Sequence, residues 1–280
     1  MAEIRSWVQL ASAVLSNIYL PGFLKGGIYQ GGLKQACVPF LNCYSCPGAL
    51  GACPVGSIQS LAVTTQRVSL YVAGIVAAFG ALGGRFICGW LCPFGWFQEL
   101  VAKATRFKLQ IFRPLLWLKY LVLLLTVLLP LVLVEAETGI AAPYFCKYLC
   151  PAGTLEAGLP LLLLNGSLRS LAGSLFLWKV SVLAVFLIAM VVTWRPFCRV
   201  ACPLGAFYAL CNRISLFQMR VDQESCSGCG ACKRICPARI EIWEKPDSPE
   251  CVRCLKCVGS CPERALSWTF GSFGQRSIKC

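Results

Sequence analysis

The chain has 280 residues, of which 57% are hydrophobic and only 14% are charged. Soluble domains are about 25% charged, so this composition excludes an ordinary soluble protein and indicates an integral membrane protein. The absence of histidine excludes His-ligated haem, Rieske-type ligation and His-ligated zinc. We attribute the net charge of +14 to basic residues flanking hydrophobic segments, which predicts contact with anionic membrane lipid and not with nucleic acid.

Four hydrophobic segments predict transmembrane helices, at about residues 6–24, 68–84, 115–134 and 175–194. The first lacks a small-residue cleavage site, so we interpret it as a helix and not as a signal peptide. Gly80-x-x-x-Gly84 in the second predicts close helix packing. Lys119 and Lys179, near the ends of the third and fourth segments, are expected to snorkel towards the membrane interface.

The distribution of charge predicts an orientation. Residues 85–114 hold five basic residues and Glu99, residues 135–174 hold two basic residues and three acids, and the segment after Trp194 begins with arginines. The positive-inside rule therefore predicts a multi-pass protein of the inner (cytoplasmic) membrane, with both termini in the cytoplasm. Residues 25–67, with three basic residues and no acid, indicate weakly the opposite side.

The motif Cys-Pro-x-Gly occurs four times, at Cys53, Cys92, Cys150 and Cys202. The last three copies are each preceded by a further cysteine four residues earlier, at Cys88, Cys146 and Cys198. Amphipathic stretches after the motifs predict interfacial helices. A repeated unit of motif, interfacial helix and membrane helix predicts a mostly α membrane protein with an arrangement like that of inverted repeats.

The C-terminal part carries two motifs of the form Cys-x-x-Cys-x-x-Cys-x-x-x-Cys-Pro. In bacterial two-cluster ferredoxins with this spacing, three close cysteines hold one cubane and the fourth reaches the other, which favours clusters over structural zinc. The motifs predict one [4Fe-4S] cluster on Cys226, Cys229, Cys232 and Cys261, and a second on Cys236, Cys251, Cys254 and Cys257. The predicted domains are a membrane domain (1–219), an α+β ferredoxin domain (220–270) and a tail (271–280).

The Cys-x-x-x-Cys-Pro pairs predict further cluster ligands. Proline at a first helical position begins a helix at each motif, and the helix N-terminus favours an anionic iron–sulfur centre. Both pairs on the predicted cytoplasmic face together supply the four thiolates of one cubane: Cys88, Cys92, Cys198 and Cys202. The alternative is that they are buried thiols without a metal.

Six cysteines fall on the predicted outer face: Cys37, Cys43, Cys46, Cys53, Cys146 and Cys150. In one arrangement the first four hold a cluster and Cys146/Cys150 form a dithiol. In a second, Cys146/Cys150 combine with two of the first four, and in a third only disulfides form. The spacing favours at least one outer cluster, for up to four in the chain. Cys211 and Cys280 have no partner motif.

These motifs resemble the polyferredoxin-type membrane proteins typified by NapH, a group that also includes NosR and CcoG. The resemblance is carried by Cys88-Gly-Trp-Leu-Cys92-Pro-Phe-Gly, Cys198-Arg-Val-Ala-Cys202-Pro-Leu-Gly and the two ferredoxin motifs. It implies electron transfer between a membrane or cytoplasmic donor and an extracytoplasmic acceptor system. The Cys146/Cys150 pair and the N-terminal cysteine set depart from the NapH pattern and put a simple transfer of quinol oxidation in doubt.

Thiolates predicted on both membrane faces favour a transmembrane electron carrier. A cytoplasmic ferredoxin or flavodoxin-like donor would dock on the ferredoxin domain, and an extracytoplasmic redox protein would accept the electrons. The basic residues of that domain offer an acidic donor a docking surface: Lys233, Arg234, Arg239, Arg253, Lys256 and Arg264.

The alternatives are a quinol dehydrogenase subunit, a redox sensor or assembly factor, and a thiol relay. For quinone, Trp90, Phe94, Trp96 and Phe97 are candidate pocket residues and Glu99 a candidate proton carrier. The sequence shows no nucleophile–base set and no nucleotide-binding loop. We therefore predict a redox subunit without substrate chemistry of its own.

Overall fold

The computed structural model describes residues 2–65, 69–105, 108–128, 143–170 and 172–271, and it is mostly helical. Three π-helical turns and two 3-10 turns join or extend the helices: the π-helical turns are Leu124–Leu128, Phe145–Leu149 and Thr154–Gly158, the last within the helix Pro151–Leu164, and the 3-10 turns are Gly32–Gln35 and Arg113–Trp117. The α-helices in chain order are α1 (Ala2–Ser16), α2 (Leu20–Lys25), α3 (Pro54–Thr65), α4 (Leu70–Gly83), α5 (Phe86–Trp90), α6 (Pro93–Ala102), α7 (Leu118–Leu123), α8 (Pro151–Leu164), α9 (Gly166–Ser170), α10 (Ser174–Val192), α11 (Pro196–Val200), α12 (Pro203–Cys211), α13 (Ala231–Ile235) and α14 (Lys256–Gly259).

Helix α10 is the one helix within the described ranges that is long and apolar enough to cross a membrane, with a mean hydropathy of 2.6. It matches the predicted segment 175–194, and most of its side chains face outwards. Helix α4, in the predicted segment 68–84, has 14 residues and falls short of the ~20 that a membrane helix needs. The prediction of four spanning helices is therefore not confirmed.

The predicted segment 6–24 is not a single helix. Helix α1 ends at Ser16 because Asn17 turns back, donating from its side-chain amide to the carbonyl of Ala13 and to Asn42 Oδ1. The backbone amide of Tyr19 then donates a hydrogen bond to the carbonyl of Gly48. Pro21 lies in the first turn of α2, where proline is tolerated. Local polar contacts thus break a segment that hydropathy alone treats as continuous.

The predicted segment 115–134 begins as a 3-10 turn, continues through α7 and ends in the π-helical turn Leu124–Leu128, beyond which residues 129–134 lie outside the described ranges. Lys119 does not snorkel as expected: its side chain is fully buried and pairs with Glu250. Three arginines used for the orientation, Arg85, Arg195 and Arg199, are also buried in ion pairs. These four cations contribute to internal structure, which weakens their use as topological markers.

Close packing between α4 and α12 confirms the interpretation of Gly80. A Cβ at this position would lie 2.8 Å from the sulfur of Cys211 and 3.2 Å from the ring of Phe207. Cys211 is buried in this contact. The other cysteine without a partner motif, Cys280, lies outside the described ranges together with most of the predicted tail.

The ferredoxin domain is built on a two-stranded antiparallel sheet of β1 (Phe217–Val221) and β2 (Leu266–Phe270). Phe217 pairs with Phe270 and Val221 with Leu266, so the ends of the domain meet. Strand β1 straddles the predicted boundary at 219/220. Between the strands lie both ferredoxin motifs and the short helices α13 and α14.

Candidate iron–sulfur cluster sites

Each of the four Cys-Pro-x-Gly motifs begins a helix at its proline, as predicted. The helices α3, α6, α8 and α12 begin at Pro54, Pro93, Pro151 and Pro203. In three of them the cysteine sulfur caps the helix by accepting a hydrogen bond from the glycine amide, at 3.3–3.4 Å for Cys92, Cys150 and Cys202. A thiolate at this position benefits from the partial positive charge of the helix N-terminus.

The proximal site comprises Cys88, Cys92, Cys198 and Cys202, and it lies next to the ferredoxin domain. All four thiols are buried, and each is close enough to others of the set to affect their ionisation. Burial raises the pKa of the Cys88 thiol to about 11, while Arg85 and Arg195 act in the opposite direction. The fold therefore brings together the four cysteines of the predicted cytoplasmic set.

At the proximal site, two fully buried arginines each donate a hydrogen bond to the cysteine pair of the other repeat. Arg85, three residues before Cys88, donates from Nη2 to the carbonyl of Cys198 at 3.0 Å. Arg195, three residues before Cys198, donates from Nη1 to the carbonyl of Cys88 at 2.6 Å. Their role was not predicted from the sequence, although the repeated Arg-x-x-Cys-x-x-x-Cys-Pro spacing was a signal for it.

A glutamine six residues after a motif cysteine links one repeat to the next. Gln98, in the repeat that begins at Cys92, accepts from the amide of Phe197 at 3.2 Å and donates to the sulfur of Cys198 at 2.8 Å. Gln59, in the repeat that begins at Cys53, accepts from the amide of Cys146 at 3.4 Å. The Cys53 repeat is thus paired with the Cys146/Cys150 pair as the Cys92 repeat is with the Cys198/Cys202 pair.

The distal site comprises Cys43, Cys53, Cys146 and Cys150. A Cβ at Gly153 would lie 3.6 Å from the sulfur of Cys43 and 3.8 Å from that of Cys150. Cys53 and Cys43 are in turn close enough to Cys146 to affect its ionisation. This grouping corresponds to the second of the three predicted arrangements.

Cys37 and Cys46 lie outside the distal set. Cys37 has only Cys53 as a thiol neighbour that affects its ionisation, and Cys46 interacts with Glu156 and Lys34. All 19 cysteines in the described ranges are free thiols. The arrangement made of disulfides is therefore not seen in this part of the chain.

Glu156 is the partly buried carboxyl group of the distal site. It accepts a hydrogen bond from the amide of Cys43 at 2.7 Å. Burial raises the pKa of this carboxyl to about 7, with the amide hydrogen bond acting in the opposite direction. The distal site thus has a carboxyl hydrogen-bonded to a cysteine backbone where the proximal site has two arginines.

In the ferredoxin domain, the two predicted sets of cysteines line two cavities. One cavity is bordered by all four cysteines of the first set: Cys226, Cys229, Cys232 and Cys261. A second cavity is bordered by all four of the second set, Cys236, Cys251, Cys254 and Cys257, and by Cys232. Burial raises the pKa of the Cys251 and Cys257 thiols to about 12.

The ferredoxin loop, residues 248–253, packs directly on the proximal site. A Cβ at Gly89, next to Cys88, would overlap the carbonyl oxygen of Val252, which is next to Cys251. Trp90 donates from Nε1 to the carbonyl of Arg253 at 3.0 Å. The segments that hold the two neighbouring thiol sets are therefore in backbone contact.

Glu250 fixes this loop through buried ion pairs. Its carboxylate binds Lys119, Arg199 at 3.2 Å and Arg85 at 3.6 Å. Although burial acts to raise the pKa of Glu250, the cations hold it below its usual range. Arg253 adds a second anchor, donating to Gly83 and Asn212 carbonyls from a fully buried position.

Two residues with other predicted roles, Glu99 and Phe94, are held by contacts inside the protein. Glu99, the candidate proton carrier, is paired with Arg5 at 2.5 Å and Arg195 at 3.0 Å. Phe94 is 1% exposed and packs edge-on against Phe197. Neither residue therefore supports a quinone pocket.

The donor sets fit [4Fe-4S] clusters. In the described part of the chain, no three Cys, Asp or Glu side chains converge closely enough to hold a single metal ion. A cubane carries an iron at each of four corners, so its thiolate ligands stand farther apart than those around zinc. Arg195 Nη2 is buried without a hydrogen-bond partner among the described residues, which suits an anionic neighbour.

Comparison with known families supports the same cofactor. Three segments match a 4Fe-4S binding domain family, Fer4_5, at residues 68–111, 120–162 and 174–221. Each of them contains one Cys-x-x-x-Cys-Pro pair. Residues 219–240, with the first ferredoxin motif, match a second 4Fe-4S binding domain family, Fer4. The chain is therefore a [4Fe-4S] protein, as predicted.

Similar proteins occur in archaea and bacteria. An uncharacterised protein of Methanocaldococcus jannaschii is 30% identical over 236 residues, 80% of either chain. The methylamine utilization ferredoxin-type protein MauN of Methylobacillus flagellatus is 32% identical over 195 residues, 66% of this chain and 60% of the relative. The ferredoxin-type protein NapH of Haemophilus influenzae is 24% identical over 239 residues, 83% of this chain and 72% of the relative. No solved structure matches the chain.

Proposed function

Because this chain belongs to the NapH/NosR-like polyferredoxin family of ferredoxin-type electron-transport proteins, we propose that it carries electrons across a membrane. The donor is a cytoplasmic protein and the acceptor an extracytoplasmic redox protein. The observation that carries the proposal is the grouping of sixteen cysteines into four sets of four, with the ferredoxin loop packed on the proximal site, and cysteines of the proximal and distal sites in one hydrophobic core.

Each set is assigned one [4Fe-4S] cluster, which supplies one-electron redox chemistry. Two lie in the ferredoxin domain, one is held by the proximal site and one by the distal site. The protein's own residues exclude water from the proximal site, where all four thiols are buried. Glu250 and the Gly89–Val252 contact hold the ferredoxin loop against it.

The membrane assignment rests on apolar surface. Helix α10 exposes Leu177, Val185 and Ile188 to between 64% and 69%, and α4 exposes Leu70 to 84%. Lipid chains provide the apolar environment that such a surface needs, because contiguous exposed apolar area is rare on soluble monomers. We propose a multi-pass inner-membrane protein, with the ferredoxin domain and the proximal site on the cytoplasmic side.

The proposed donor is a ferredoxin or flavodoxin-like protein with an acidic surface. Arg234, Arg239 and Arg264 are exposed on the ferredoxin domain, and Cys229 of the first cavity is exposed as well. Arg234 donates to the carbonyl of Cys229 at 3.0 Å. Arg253, in contrast, is buried and unavailable to a partner. Positive charge close to an exposed thiol set favours docking and speeds association.

Iron content and transmembrane electron transfer test the proposal. The full chain, purified anaerobically, is expected to hold about sixteen irons, against about eight if only the ferredoxin motifs are filled. It is then reconstituted into vesicles that contain ferricyanide, and dithionite is added outside. We expect bleaching of the trapped ferricyanide with the natural chain but not with Cys198→Ser.

Each outcome is decisive for one part of the proposal. About eight irons would overturn the two membrane-domain clusters. A full iron content with bleaching no faster than in empty vesicles would overturn transfer across the membrane.

A further inference from the structure

The two membrane-domain sites differ in local electrostatics, with the larger excess of positive charge at the proximal site. We infer that Arg85, Arg195 and Gln98 raise the reduction potential of the proximal site above that of the distal site, so that an electron shared between them rests at the proximal site. This inference rests on the ligand sets of the proposed function. It adds an order of reduction potentials for the two sites, which neither the cysteine spacing nor membership of the family predicts.

Positive charge is in excess around the proximal site. Two carboxylates, Glu99 and Glu250, face five buried cations: Arg5, Arg85, Lys119, Arg195 and Arg199. Two of these cations donate directly to ligand carbonyls. Reduction adds one electron to a cluster and makes or breaks no bond, so buried positive charge nearby stabilises the reduced state.

Hydrogen bonds to sulfur differ between the sites as well. At the proximal site Gln98 donates from Nε2 to Cys198 Sγ at 2.8 Å. Gln59 occupies the equivalent place in its repeat but donates to the carbonyl of Thr126 instead. Because hydrogen bonds to ligand sulfur help to set the potential of a cluster, the side-chain amide adds to the effect of the arginines at the proximal site.

At the distal site the partly buried Glu156 carboxyl accepts a hydrogen bond from the amide of Cys43. Two lysines also act on this side. Lys34 donates to the carbonyl of Ala49 at 2.7 Å and lies close enough to Cys43 and Cys46 for their charges to interact, while Lys179 interacts with Cys146. The chain thus places two cations and one carboxyl here, against five cations and two carboxylates at the proximal site.

A redox titration of the intact chain, followed by electron paramagnetic resonance, tests the order. The signals are assigned by their loss in Cys198→Ser for the proximal site and Cys146→Ser for the distal site. We expect the proximal cluster to be reduced first. In Arg195→Gln, the ratio of reduced to oxidised proximal cluster at a fixed potential should fall about tenfold, equivalent to about 59 mV. Arg195→Lys, which keeps the charge, should restore most of this loss.

A second pair of variants covers the case in which Arg195→Gln loses iron. Gln98→Leu removes the hydrogen bond to Cys198 and should lower the proximal potential, whereas Gln59→Leu should leave it unchanged. Equal reduction potentials at the two sites would overturn the inference. A proximal potential that none of these substitutions moves would also overturn it. In either case a full iron content would still support the proposed function. An iron content limited to the ferredoxin motifs would overturn both.

Discussion

Arg85 donates a hydrogen bond to the carbonyl of Cys198, and Arg195 donates one to the carbonyl of Cys88. Each cysteine pair is therefore positioned by the repeat that carries the other pair. Since both arginines are fully buried, the two repeats cannot separate without exposing unpaired charge to an apolar interior. The proximal site is consequently a product of the interface between repeats.

The composition of the distal site can be tested by iron content. Cys146→Ser should remove about four irons, because one cubane loses a ligand. Cys46→Ser should retain the full content, since Cys46 lies outside the distal set. The measurement is iron and acid-labile sulfide per chain after anaerobic purification. The reverse pattern would indicate a cluster on the four N-terminal cysteines.

The contact between Gly89 and Val252 should be sensitive to a single methyl group. Gly89→Ala places a Cβ against the Val252 carbonyl, and overpacking of this kind costs about 1–3 kcal/mol. We expect a lower thermal stability and slower electron exchange between the ferredoxin domain and the proximal site, measured by freeze-quench spectroscopy. Gly74→Ala, where a Cβ meets nothing within 4 Å, is the control, and equal behaviour of both variants would contradict the contact.

Glu250 should be essential for stability. Glu250→Gln leaves Lys119, Arg85 and Arg199 without their shared carboxylate, and removing one partner of a buried ion pair costs about 3–5 kcal/mol. Chemical denaturation in detergent measures this loss. The matched control is Glu241→Gln, which breaks the solvent-exposed pair with Lys233 and should have no measurable effect. Similar stability of the two variants would show that the buried network is dispensable.

Helix α10 should respond to charge as a membrane-embedded helix. Val185 is 64% exposed, and arginine near the centre of a membrane helix costs about 2.5–3.5 kcal/mol of insertion free energy. Val185→Arg should therefore reduce the fraction of protein that stays in membranes after carbonate extraction, while Val185→Leu should not. Unchanged retention of the arginine variant would place this surface outside the lipid.

Local sequence rules predicted the beginnings of helices well. A proline directly after the motif cysteine begins a helix in all four copies, because its missing N–H and fixed φ suit the first turn. The grouping of the ferredoxin cysteines around two cavities also follows the sequence spacing, since the ligands lie within one short domain. In both cases the determining contacts are local.

Hydropathy was a poorer guide, because it counts residues without regard to their partners. It treated 6–24 as one span, although Asn17 and Pro21 divide it into two helices. It also placed Lys119 at the membrane surface, although Glu250, 131 residues later in the chain, holds it in the interior. A buried ion pair between distant residues leaves no local pattern.

The sequence alone determined the cofactor class, since thiolate number, spacing and the absence of histidine restrict the chemistry to cysteine-ligated clusters. The tertiary structure decided which thiols meet. It placed Cys43 and Cys53 with the Cys146/Cys150 pair and left Cys37 and Cys46 aside. It also set two buried arginines at one site and a partly buried glutamate at the other. These features depend on packing between repeats far apart in the chain, and spacing along the chain does not encode such distances.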